Sequence, residues 1–95
     1  MEVYVILSKI NPGAFTNSKE FKRAAEEVAK TIKRDCPNIV WKDSYALLGD
    51  YDVIDVVEAQ NKAEIMKAVE IIRAIGKAHT QTFSAIPWRE HIDSL

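Results

Sequence analysis

The residue pattern of this chain predicts an α+β fold, two helices laid on a four-stranded antiparallel sheet, and three observations carry that expectation. Apolar periodicity alternates between strand and helix character in the order β-α-β-β-α-β. Both predicted helices open on an asparagine with a glutamate three residues on, Asn17 with Glu20 and Asn61 with Glu64. A length of 95 residues suits one domain, since domains run roughly 50–250 residues. Two βαβ halves with both helices on one face of the sheet make the ferredoxin-like arrangement.

Residues 3–9, Val-Tyr-Val-Ile-Leu-Ser-Lys, are β-branched and aromatic and read as the first strand. Asn11-Pro12-Gly13 then supplies turn chemistry. Asn17 caps the first helix, on which Phe21, Ala24, Ala25, Val28 and Ile32 recur as one apolar stripe. Lys22, Glu26, Lys30 and Lys33 fill its solvated side, and Pro37 ends the helical region. Residues 39–48 and 51–59 read as two strands joined through Gly49-Asp50, a pair that suits a two-residue type II′ turn. That turn sets Leu48 opposite Tyr51, Ser44 opposite Asp55 and Lys42 opposite Val57.

The second helix runs from Asn61 with Ile65, Ala68, Val69, Ile72 and Ile75 inward, and Gly76 stands as its stop. Residues 78–86 form the last strand. The domain therefore spans residues 1–87, and Pro87-Trp88 leads into a short tail, residues 88–95.

Thirteen Lys and Arg against fourteen Asp and Glu give a net charge of −1. That balance argues against a nucleic-acid partner, which would call for a basic surface. The apolar run at the N-terminus is too short for a membrane span and has no cleavage site, so a cytoplasmic location without membrane contact is expected. The one cysteine, Cys36, follows a helix end and Asp35. Both disfavour a thiolate, which marks Cys36 as a structural thiol.

Both parities of the central strands are apolar: Val3, Val5 and Leu7 against Tyr4 and Ile6, and Val53 and Val57 against Ile54 and Val56. Two helices cover one face only. The other calls for a second copy, which predicts a homodimer with sheets face to face, a dimeric α+β barrel.

His79 and His91 lack the paired ligands of a metal site, and Gly13, Gly49 and Gly76 are too scattered for a phosphate loop. No cofactor is expected. Asp55 falls mid-strand on the parity of Lys42, Ser44, Tyr51 and Val53, where a carboxylate needs either a partner or a polar cavity. Asp55, His79 and Tyr45, with Asp52, are the available acid–base groups.

Gly49-Asp50-Tyr51-Asp52 heading a strand, with Gly76 before Thr80-Gln81-Thr82 on the last one, resembles the GYD-domain family over nearly the whole chain. The loop from Pro12 to Asn17 is similar to that family's entry to the first helix, while His79 stands where an arginine is more usual. The same hairpin resembles the effector-binding domain of the feast/famine transcription regulators. That likeness implies a dimeric barrel and amino-acid binding near the hairpin, with Gly49, Asp50, Tyr51, Asp52, Thr80 and Thr82 as candidate ligand contacts. A homo-oligomeric small-molecule-binding module is the leading expectation. A small cofactor-independent enzyme, monooxygenase- or isomerase-like, is the first alternative. A protein–protein assembly component using Trp41, Tyr45, Trp88 and the tail is the second.

Overall fold

The computed structural model describes the whole chain, Met1–Leu95. The elements are β1 (Glu2–Ile10), α1 (Ser18–Asp35), β2 (Val40–Ala46), β3 (Val53–Ala59), α2 (Lys62–Gly76), β4 (Ala78–Ala85) and α3 (Trp88–Asp93). The strands pair antiparallel in the order β2-β3-β1-β4. This is the ferredoxin-like βαββαβ fold.

The core lies between the sheet and α2. Tyr4 and Ile6 of β1 and Val57 and Ala59 of β3 meet Ile65, Ala68, Val69 and Ile72 of α2, all buried. Ile6 and Val57 are completely enclosed at the centre, where an aliphatic side chain contributes about 1.5–3 kcal/mol over exposure. The first helix is placed differently. Its close backbone approach is to α2 and to no strand, so α1 stands off the sheet.

The helix starts follow from their caps. Asn17 accepts from the Glu20 amide at 2.9 Å, and Asn61 from the Glu64 amide at 3.1 Å. The Glu20 side chain reaches past the cap to the amide of Thr16 at 3.1 Å and also takes the Thr16 hydroxyl. At the far end of α2, Gly76 is not the stop. It remains helical, and Lys77 takes the left-handed conformation at φ 52°, ψ 53°. Gly76 instead lies against α1, where a Cβ would stand 3.6 Å from Val28 Cγ2.

Two local features of the hairpin depart from the expected turn. The strands end at Ala46 and Val53, and Leu47 donates to the Asp52 carbonyl at 2.8 Å, so the loop carries residues 48–51 rather than two. Gly49 at φ 146° occupies a conformation that L residues rarely adopt. The register between Ser44 and Asp55 is as expected, but a bulge between Trp41 and Asp43 sets Trp41, not Lys42, opposite Val57.

On the sheet face away from the helices, Val3, Val5 and Leu7 of β1 lie beside Ile54 and Val56 of β3, with Phe83 and Tyr45 outside them. The β1 and β3 residues are half-buried, and Phe83 and Tyr45 are exposed. The tail forms α3, which has no buried residue. No helix is long and apolar enough to cross a membrane.

Candidate functional site

Because α1 stands off the sheet, its apolar stripe faces a cavity of about 590 Å³. Phe21, Ala24, Ala25, Val28 and Ile32 form the helix wall. The sheet supplies the floor from Ser8 of β1, Trp41 and Ser44 of β2, and Val53 and Asp55 of β3. Fourteen of the twenty lining residues are hydrophobic. Volumes of roughly 300–1,000 Å³, lined mainly by apolar groups with a few convergent polar ones, are typical of small-molecule sites.

The polar floor is organised around Asp55, only 7% exposed. Its Oδ1 accepts from Ser44 Oγ at 2.5 Å and from Trp41 Nε1 at 3.1 Å, and the same indole N–H is 2.8 Å from Ser44 Oγ. No donor of the chain reaches the second carboxylate oxygen. Ser8, 3% exposed, carries a hydroxyl with no hydrogen-bond partner. A buried hydroxyl without a partner is costly, so Ser8 marks a place where a ligand atom would be favourable. At the end of the helix, burial pushes the Cys36 thiol up, against thiolate formation.

Of the residues singled out in the sequence, Asp55 lines this cavity and the hairpin set does not. Asp52 ties the hairpin to β1: its amide donates to the Ser8 carbonyl at 2.8 Å and its Oδ2 accepts from the Ile10 amide at 2.7 Å. Released from the strand by the longer loop, Tyr51 donates its hydroxyl to Gln81 Oε1 at 2.5 Å. Gln81 pairs with Leu7, on the face opposite Asp55, so Tyr51 does not join Asp55 as its parity suggested. Thr80 Oγ1 accepts from Arg73 Nε of α2 at 2.9 Å. Thr82, Gly49 and Asp50 are exposed.

The acid–base candidates are dispersed. Tyr45 is on β2 and His79 on β4, opposite edges of the sheet, three strand spacings or roughly 14 Å apart. Both lie on the face away from the helices, while Asp55 faces α1.

Ser8, Trp41 and the depth of the cavity were not visible in the sequence as a site. Ser8 did leave a trace: it follows Tyr4 and Ile6 as a small polar residue on the same parity. Trp41 reaches the floor only through the bulge.

A GYD domain model matches residues 4–95. A Thermus thermophilus protein, the "Glutamine synthetase and cystathionine beta-lyase binding protein", is 34% identical over all of this chain and 99% of its own length. Among solved structures, a chlorite dismutase-like protein superposes with a TM-score of 0.67 at 16% identity, over 99% of this chain. This chain spans 47% of that one, so the likeness covers about half of the larger protein. A dabb-family protein with a ferredoxin-like fold from Mesorhizobium loti superposes at 0.56 with 14% identity, over 92% of this chain and 98% of that one. At those identities the structures speak to fold. The family match and the Thermus relative cover the chain almost end to end, and it belongs to the GYD-domain family.

Proposed function

We propose that this protein is a homo-oligomeric small-molecule-binding module whose ligand occupies the cavity between α1 and the sheet. The observation that carries the reading is an apolar cavity of about 590 Å³ with a buried carboxylate and a buried, unpartnered hydroxyl on its floor. A metabolite screen by thermal denaturation tests it. A ligand at a hundred times its Kd stabilises the native state by about 2.7 kcal/mol, and Ala25→Phe, which fills the helix wall, abolishes that gain. A broad screen without a shift overturns the reading.

The homodimer belongs to the same proposal. Val3, Val5, Leu7, Ile54 and Val56 form a contiguous apolar surface that a second sheet would cover. Sedimentation at micromolar concentration is expected to give a dimer, and Val5→Glu a monomer. A monomeric wild type would remove this part.

A second reading, an adaptor for metabolic enzymes, is favoured by the name of the Thermus relative. Its test is direct titration with purified glutamine synthetase and cystathionine β-lyase from the same organism. Removal of residues 88–95, where Trp88 is 76% exposed, is expected to weaken that binding.

A further inference from the structure

We propose that the cavity selects an apolar molecule with a single hydrogen-bond-donating head, hydroxyl or ammonium, seated between Asp55 Oδ2 and Ser8 Oγ. The inference rests on the cavity being the ligand site and names the ligand's chemical class.

The head group follows from what the floor lacks. An ionised carboxylate only accepts hydrogen bonds, and both donors within reach, Ser44 Oγ and Trp41 Nε1, are spent on Asp55 Oδ1. The remaining oxygen takes no hydrogen bond from the chain and is free to accept one from a donor in the cavity. Ser8 adds a hydroxyl that is buried and unpartnered. Ser8 pairs directly with Val53, so Asp55, two residues further along β3 on the same face, is its diagonal neighbour. Diagonal neighbours stand roughly 7–8 Å apart, a gap that one small polar group bridges.

Charge excludes the opposite head. Lys33, the one basic residue lining the cavity, is an exposed helix residue and no part of the floor. A carboxylate or phosphate seated at the floor would meet Asp55 with no cation between them. A wholly apolar ligand would leave both polar groups unpaired and further desolvated.

The body follows from the volume. An apolar cavity of roughly 150 Å³ already holds a benzene ring, and about 590 Å³ takes a ring with a side chain or a larger skeleton.

Four probes with one body and different heads test the proposal: 2-phenylethanol, phenethylamine, ethylbenzene and phenylacetate. Binding is followed by calorimetry and by the Trp41 indole N–H resonance, which reports on the floor because that N–H donates to Ser44 Oγ and to Asp55 Oδ1. The two donor-headed probes are expected to bind at least tenfold tighter than the other two. Asp55→Asn keeps an acceptor for Ser44 and Trp41 and turns an amide donor toward the cavity, so the preference inverts in favour of phenylacetate. Ser8→Ala lowers affinity for the donor-headed probes several-fold and leaves ethylbenzene unchanged, which keeps the test intact should Asp55→Asn fail to fold. Equal affinity for all four probes, or a preference for phenylacetate in the wild type, overturns the donor-headed ligand while the cavity stands as a binding site. No binding by any of the four overturns both.

Discussion

The indole N–H of Trp41 donates to Asp55 Oδ1 at 3.1 Å across two strands whose unbroken register would have brought Lys42 to that face instead. The bulge thus exchanges a charged partner for a neutral donor. A lysine there would form an ion pair with Asp55 and neutralise the floor. The indole instead stabilises the carboxylate through Oδ1 and leaves its charge uncompensated.

Replacing that donor should therefore be felt. Trp41→Phe keeps most of the aromatic surface and removes the hydrogen bond to a charged acceptor, for an expected loss of about 1–2 kcal/mol. Urea denaturation measures it. Ser44→Ala should cost a similar amount, and the two losses should not add, because both donors serve one oxygen and the Trp41 N–H also donates to Ser44 Oγ.

The unpaired hydroxyl of Ser8 predicts the opposite sign. Ser8→Ala removes a buried polar atom without a partner and should raise stability by about 1 kcal/mol. A stabilising change at a cavity floor is what a site kept for binding rather than for folding would show. Chemical denaturation of the unliganded protein reads it, and a clear loss of stability would mean that the hydroxyl is satisfied in solution.

Two glycines separate backbone strain from space. Nothing lies within 4 Å of a Cβ at Gly49, yet its φ of 146° is strained for any L residue, so Gly49→Ala should cost about 1–3 kcal/mol. Gly76 is helical, and its Cβ would meet Val28 and Ile72 at 3.6 and 3.9 Å, ordinary contact distances. Gly76→Ala should gain about 0.5–1 kcal/mol from helix propensity. Paired thermal melts of the two variants should move in opposite directions.

Acid should loosen the start of α1. The Thr16 hydroxyl, and then the Thr16 amide, hold the Glu20 carboxyl below its ordinary value of 4.5. A depressed acid contributes its stability in full above the unfolded value, and loses it as pH falls through the lower folded one. Wild type should exceed Glu20→Gln in melting temperature at neutral pH, and the two should converge in strong acid. A difference that persists there would assign the effect to shape rather than charge.

Much of this was legible in the residues because it is local. Asn17 and Asn61 announce both helix starts, and the two apolar parities of residues 3–9 mark a strand covered on both faces without saying which face the helices take. The opposition of Ser44 and Asp55 depended only on where the hairpin turned, so it survived an error in the length of the loop. The bulge at Lys42 was not legible, since it arises on an edge strand with a partner on one side only. The cavity was hidden for a different reason. The stripe of Phe21, Ala24, Ala25, Val28 and Ile32 fits a helix seated on a sheet as well as one held away from it. Their separation is set by the combined bulk of everything between them.

The first helix is a beam fastened at its ends and flanked along one side by α2, where Gly76 lies against Val28. Glu20 and Thr16 fasten one end, with Lys77 Nζ donating to the Ala14 carbonyl at 3.4 Å close by. Buried Ile32 and Cys36, whose amide donates to the Ile32 carbonyl at 2.7 Å, fasten the other. The span between them rests on no strand. Long helices curve gently at little cost, so this span could bow toward or away from the sheet with every strand pairing intact. The floor would then discriminate by chemistry, while the compliant roof accepts a range of sizes.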